Sequence, residues 1–181
     1  MCVFLFLVGV WGWTLTEYLM HRFVGHVYGA STFFGKTHRA HHAEKDLFLP
    51  LGYKIASLFK VGIPLGVITS LFFGASVGVP FTAGFAMAFI GYEWLHHTLH
   101  VSRPKTAYGR WARRHHFYHH FEAPGANFGV TSPLWDFVFG TAQRAAVIRV
   151  PRKFAMRWLT DADVVDVFPD YHADYVLRGR L

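Results

Sequence analysis

Residues 81–120 read FTAGFAMAFIGYEWLHHTLHVSRPKTAYGRWARRHHFYHH. Residues 81–95 are apolar apart from Glu93 near the end. They run directly into His96, His97 and His100, and basic residues begin at Arg103. A second histidine group, His115, His116, His119 and His120, closes the stretch. An apolar span that ends in imidazoles predicts a helix delivering histidines to one face of a bilayer.

The same arrangement recurs upstream. Residues 1–20 are apolar except for Thr14, Thr16, Glu17 and Tyr18, and His21 and His26 follow. Twenty helical residues span about 30 Å, the thickness of a bilayer core. A signal peptide is the competing reading, but the segment lacks a basic start and a small-x-small cleavage site. Residues 55–73 form a further apolar span apart from Lys60, which can snorkel. The uncharged stretch 74–80 then serves as a short turn to the span at 81–95. Three spans follow, with the N-terminus and the 74–80 turn on one side.

The basic residues fit this topology. None of the 18 lies in 1–20 or 61–102, and twelve lie between Arg103 and Arg180. By the positive-inside rule the loop 21–54 and the tail 103–181 are cytoplasmic. The formal charge of +7 therefore reads as topology and attraction to anionic headgroups, and no nucleic-acid motif accompanies it. Of the 181 residues 52% are hydrophobic and 16% charged, which excludes a disordered chain and an ordinary soluble domain. A single cysteine, Cys2, excludes a disulfide framework and a Cys-rich zinc site.

Thirteen histidines remain to be explained. On a helix, positions i, i+3 and i+4 share a face. His38/His41/His42 and His116/His119/His120 have that spacing, and His96/His100 has the last of it. His21 and His26 are i, i+5, so the first helix is expected to end or distort there. Neutral imidazole is the commonest metal ligand. His97 points about 100° away from His96, and is expected beside the site rather than in it. His115 is ambiguous because it shares a face with His119. His172 is isolated and reads as a bystander.

The ten remaining imidazoles are too many for one ion and suit two ions with about five each. Glu17 and Glu93 could each accept an imidazole N–H and orient a ligand, or equally pair with a nearby Arg. Carboxylate-bridged di-metal bundles need two Glu-x-x-His motifs with two further Glu residues, and this sequence has a single such spacing, Glu93 to His96. A metal transporter would need ionisable groups at mid-bilayer. A zinc hydrolase needs three protein ligands and an open position, which leaves most of the ten unexplained.

The order His21-Arg22-Phe23-Val24-Gly25-His26, His38-Arg39-Ala40-His41-His42, His96-His97-Thr98-Leu99-His100 and His115-His116-Phe117-Tyr118-His119-His120 resembles the fatty acid hydroxylase / sterol desaturase superfamily. Glu17-Tyr18, Gly91-Tyr92, residues 127–136 (NFGVTSPLWD) and Phe139-Gly140-Thr141 extend the likeness, which covers about residues 11–141. The resemblance implies an all-α, polytopic membrane protein with about three transmembrane helices. A cytoplasmic helical cap would hold the His-rich dimetal site, in one domain 1–181 with 142–181 as its C-terminal part. It implies metal ligation by His21, His26, His38, His41, His42, His96, His100, His116, His119 and His120, with His97 and His115 outside the ligand pattern. The metals are normally iron, with zinc a possible substitute in preparations, and dioxygen is the co-substrate.

The implied reaction is hydroxylation of a lipid C–H bond, of fatty acid, sphingolipid or sterol type. Carotenoid ring hydroxylation and lipid desaturation are the neighbouring alternatives. Relatives usually carry a further membrane helix before the first cluster and a Pro after the second; here the first span carries the first cluster, and His42 is followed by Ala43-Glu44-Lys45-Asp46. Electrons are expected from a separate donor protein. The metal site would face the cytoplasm, from the endoplasmic reticulum in a eukaryote or the inner membrane in a bacterium.

Arg103, Lys105, Arg110, Arg113 and Arg114 could seat an anionic headgroup or dock an acidic donor, and equally follow from topology alone. Residues 141–181, broken by Pro151 and Pro169, are expected to pack on the His-bearing helices. The group Asp161/Asp163/Asp166 reads as a helix start rather than a cation site.

Overall fold

A computed structural model describes every residue except 45, 46, 162, 164, 180 and 181. The elements are α1 (Cys2–Leu19), a π-helical segment (Met20–Val27), α2 (Phe33–Ala43), α3 (Leu51–Phe73), α4 (Ala75–Val101), α5 (Ala107–Phe121) and α6 (Leu134–Val138). Two short strands follow, β1 (Ile148–Pro151) and β2 (Tyr175–Arg178). Among the described residues three helices are long and apolar enough to cross a membrane: Cys2–Val27, Leu51–Phe73 and Ala75–Val101. The chain divides into two compact units, residues 1–17 with 48–95, and residues 18–47 with 96–181.

The first unit is apolar outward. α3 buries none of its residues although it is strongly hydrophobic, and Ile63, Val67, Leu71, Phe72 and Phe73 stand exposed along it. A face of that kind needs cover from water, which the hydrocarbon of a bilayer supplies along a helix of this length. α1 and α4 meet through glycine. A Cβ at Gly9 would lie 1.9 Å from the Phe81 carbonyl oxygen, and one at Gly84 1.9 Å from that of Phe6. Small residues permit such an approach between helices where lipid provides no hydrophobic drive. Trp13 adds edge-to-face contacts with Phe85 and Phe89 at 5.3 and 5.0 Å. The turn expected over 74–80 shrinks to Gly74, whose φ of 84° reverses the chain in a conformation that residues with a side chain rarely adopt. α4 starts at Ala75 and carries Pro80 within it.

The second unit is built around α5. One side of that helix carries Phe117 and Phe121 into an apolar core with Ile148, Val150, Met156, Trp158, Leu159, Val167, Tyr171 and Tyr175. The tail thus packs on a His-bearing helix, as expected. Its own structure is mostly non-helical: β1 and β2 pair in parallel, Ile148 opposite Tyr175 and Pro151 opposite Arg178. Pro151 and Pro169 each begin or flank a single short 3-10 turn, because a proline ring stops α-helical propagation. No helix starts at the Asp161/Asp163/Asp166 group among the described residues. The chain there turns back through a Thr160–Val167 bridge, and Asp166 Oδ1 accepts the Val167 N–H at 2.7 Å.

Candidate metal centre

All ten imidazoles singled out in the sequence lie in the second unit. Four segments supply them. The π-helical segment winds with i→i+5 hydrogen bonds, such as Tyr28 N–H to Phe23 O at 2.7 Å. That winding brings positions five apart onto one side. The i, i+5 spacing of His21 and His26 therefore distorts the helix without ending it, and their rings stand 5.3 Å apart. α2 follows after Thr32, whose Oγ1 caps it by accepting the Gly35 N–H at 2.9 Å. Gly35 is packed so tightly that a Cβ would lie 2.3 Å from the Gly29 Cα. The close approach sets α2 against the π-helical segment. α5 has the same cap, Thr106 Oγ1 accepting from Gly109 N–H at 3.0 Å. The fourth segment is the end of α4.

The histidines sort into two groups of five. His21, His26, His38, His42 and His119 form one, and His41, His96, His100, His116 and His120 the other, with each group's candidate ligand atoms within 4.8 Å of one another. Neither triplet stays together. α2 sends His38 and His42 to the first group and His41 to the second, whereas α5 sends His116 and His120 to the second and His119 to the first. Neighbouring helical positions diverge by about 100°, so a paired i, i+4 and its i+3 companion reach different points. His42 and His120 stack at 4.1 Å where the groups adjoin.

In the first group every Nε2 faces inward. The separations are 2.9 Å for His21–His119 and His26–His38, 3.0 Å for His26–His119 and His38–His42, and 3.1 Å for His42–His119. Two donors about 2.1 Å from a common ion and at right angles to each other lie about 3.0 Å apart, so the spacing suits a metal ion. Hydrogen bonding alone does not account for it. His21 Nδ1 donates to Phe128 O at 2.5 Å and His119 Nδ1 to Ala126 O at 2.7 Å, because a carbonyl can only accept. A neutral ring has one N–H, so both Nε2 atoms are lone pairs, and they face each other at 2.9 Å. A cation between them resolves the repulsion.

In the second group His100 and His116 approach at 2.9 Å through their Nε2 atoms. His41 Nδ1 donates to Leu47 O at 2.9 Å, and its Nε2 is likewise a lone pair. Burial, reinforced by neighbouring imidazoles, holds His42 down to about 2 and pushes His38, His116, His119 and His120 below the ordinary histidine range. These rings are neutral, the form that binds metal.

The other candidates are not members of the two groups of five. Glu17 and Glu93 belong to the first unit, where the Glu93 carboxylate pairs with Lys54 Nζ at 2.6 Å, a lysine taking the place of the expected arginine. His97 is exposed. His115 is buried and its Nε2 donates to Asp136 Oδ2 at 3.0 Å. The half-exposed His172 donates to Val167 O at 2.6 Å. Among the grouped basic residues, Arg113 is buried among backbone carbonyls and is no headgroup seat, and Arg114 binds Asp174 Oδ1 at 2.8 Å. Arg110 and Arg114 line a cavity of about 430 Å³ with Trp111 and Tyr118. Of the residues after His42, Lys45 and Asp46 lie outside the described residues.

A buried polar network escaped residue-by-residue reading of the sequence. Asp136 accepts from Phe128 N–H, Gly129 N–H, Thr141 Oγ1 and His115. Tyr18 OH meets Thr141 Oγ1 at 3.0 Å and accepts from Arg22 at 2.8 Å. The available signal was the concentration of Asn, Gly, Ser, Pro and Asp in 125–136 of an otherwise apolar chain.

A helical framework with three apolar spans and two decks of five imidazoles defines a class of membrane histidine-cluster protein. The fatty acid hydroxylase family model matches residues 6–141, and the chain belongs to that family. It is 31% identical over 137 residues to a dihydroceramide fatty acyl 2-hydroxylase of Arabidopsis thaliana, covering 74% of this chain and 58% of the relative. It is 29% identical over 148 residues to the human fatty acid 2-hydroxylase, covering 76% of this chain and 39% of the relative. The solved structure of full-length Scs7p, with only the hydroxylase domain visible, superposes with a TM-score of 0.61 at 28% identity, over 78% of this chain and 56% of that one. The chain thus spans between about two fifths and three fifths of the length of these proteins.

Proposed function

We propose that this protein is a dioxygen-dependent lipid hydroxylase acting on a fatty acyl chain, free or carried by a ceramide-type lipid, through two His-ligated irons. The observation that carries the reading is the pair of five-imidazole groups whose ring nitrogens converge, with the unprotonated Nε2 atoms of His21 and His119 facing each other in the first. The relatives named for fatty acyl 2-hydroxylation favour hydroxylation near the acyl carboxyl end over desaturation or carotenoid ring chemistry.

His21, His26, His38, His42 and His119 would hold one ion, and His41, His96, His100, His116 and His120 the other. Bound iron supplies the reduction of dioxygen and the transfer of one oxygen atom to a C–H bond. The chain holds the imidazoles neutral by burial and fixes the rings of His21, His41 and His119 through backbone carbonyls. The exposed apolar helices keep the protein in the bilayer, where an acyl chain is available. Placing one oxygen atom in the lipid and the other in water consumes two electrons and two protons, so the reaction draws on an electron donor, for which an electron-carrier protein is the proposed source. By the positive-inside rule the excess of basic residues from Arg103 onward supports a cytoplasmic face for the metal groups, at the endoplasmic reticulum or a bacterial inner membrane.

Untargeted lipid profiling of expressing and non-expressing cells tests the proposal. A new series at about +16 mass units in acyl lipids, lost in His41→Ala, is the expected result; a series at −2 names a desaturase, and no new series overturns the assignment. Metal analysis should find two ions per chain.

A further inference from the structure

His21 and His119 owe their matching protonation to one loop. The carbonyls that take their Nδ1 protons belong to Phe128 and Ala126, on either side of Asn127. That loop is clamped from behind. The fully buried Asp136 accepts the Phe128 N–H at 2.8 Å and the Gly129 N–H at 2.9 Å. The same carboxylate is held by Thr141 Oγ1 at 2.7 Å and by His115 at 3.0 Å. Asn127, also fully buried, adopts φ 56°, a left-handed conformation that Asn tolerates better than most residues. Its Oδ1 accepts from Gln143 N–H at 2.8 Å, and its Nδ2 donates to Gln143 O at 3.0 Å and to His115 O at 3.3 Å.

A neutral imidazole can carry its proton on either nitrogen. If the loop carbonyls withdrew, one of the two rings would move its proton to Nε2 and donate it across the 2.9 Å gap. The pair would become an ordinary His–His hydrogen bond, and the facing lone pairs would be gone. We infer that Asp136 and Asn127 are positioning residues that hold residues 126–129 so that His21 and His119 both keep Nδ1–H and the metal-competent Nε2 lone pairs. The inference rests on the metal-binding reading above for its consequence, though not for the proton placement itself.

The test uses the full chain in detergent. Asp136→Asn puts an NH2 against a loop N–H whichever way the amide turns, since Phe128 N–H meets one carboxylate oxygen and Gly129 N–H the other. Ring ¹⁵N spectra of metal-free, ¹⁵N-histidine-labelled protein should show His21 and His119 as Nδ1–H in the wild type and as tautomer mixtures in Asp136→Asn. Zn²⁺ titration should show two sites in the wild type, with one weakened about 10- to 100-fold in the variant and the other unchanged. Asn127→Gly keeps the left-handed backbone and removes the side-chain bonds, and gives the same readout if Asp136→Asn does not fold. Leu159→Ala, a truncation in the tail core, serves as a destabilised comparator and should keep both tautomers. Unchanged tautomers in both loop variants, or the same change in Leu159→Ala, overturns the inference. A wild type that binds no metal but shows the predicted tautomers overturns the proposed function and leaves the clamp standing.

Discussion

Replacing Arg113 with Met should be among the most damaging changes outside the histidines. Arg113 sits on α5 with 1% of its surface exposed. Its Nε donates to Leu99 O at 3.1 Å, Nη1 to Gly109 O at 3.1 Å, and Nη2 to Thr98 O at 2.8 Å and to Ser102 O. Three of these carbonyls belong to the C-terminal end of α4 and the residue beyond it, where helical carbonyls lack intrahelical partners and the dipole is negative. The guanidinium is therefore a C-terminal cap set from a neighbouring helix, lying 5.2 Å over the Trp158 ring, whose Nε1 donates to His100 O at 2.8 Å. Thr98 O also accepts from Ser102 N–H, and Gly109 O lies inside α5, so Met strands chiefly Leu99 O and Ser102 O. One buried and one half-buried orphan at about 1–3 kcal/mol each, partly offset by a side chain that is easier to bury, give a net loss of about 2–4 kcal/mol. Arg113→Lys should recover less than half, because an ammonium lacks the planar fork. Denaturant unfolding in a fixed detergent, followed by circular dichroism, measures it. A loss under about 1 kcal/mol for Arg113→Met would show that water caps α4 equally well and would refute the reasoning.

Acid should destabilise the metal-free protein. His42 is held to about 2 against 6.5 in an unfolded chain, so below about pH 6.5 the unfolded state takes up a proton that the folded state refuses. Stability is then lost as pH falls, by about 1.4 kcal/mol per pH unit for each such ring, and His38, His116, His119 and His120 act in the same direction. Unfolding midpoints at pH 7.5 and 5.5 check the sign; equal midpoints would contradict it. His41→Ala and His119→Ala should each abolish activity and lower bound metal, read by product mass and elemental analysis, whereas His172→Ala should change stability by less than about 0.5 kcal/mol. Gly84→Val places carbon against the Phe6 carbonyl, 1.9 Å from the Cβ position, and should lower the thermal midpoint by several degrees, since the backbones must separate.

Periodicity made the helices and their histidines legible, because apolar spans and i, i+3, i+4 spacings depend only on local geometry. The division of each triplet between two groups was hidden, since it requires knowing what stands on both sides of α2 and α5. The π-helical winding was half visible: the i, i+5 pair demanded a distortion, but spacing alone does not decide between ending the helix and rewinding it. Asp136 and Asn127 were unreadable as a clamp because their partners are backbone atoms, which every sequence possesses. Residues 142–179 misled in the ordinary way, with the prolines marking where helices stop rather than what replaces them.

The shared helices bear on which changes of length this family of chains can absorb. An extra residue between Arg103 and Lys105 alters only a connection. One extra residue inside α5 between Tyr118 and His119 turns His119 and His120 by about 100° relative to His116. It would send both rings away from their groups in a single step, although every histidine would still be there to count. Insertions and deletions should therefore accumulate between the histidine-bearing helices and be purged within them, a pattern dictated by register rather than by composition.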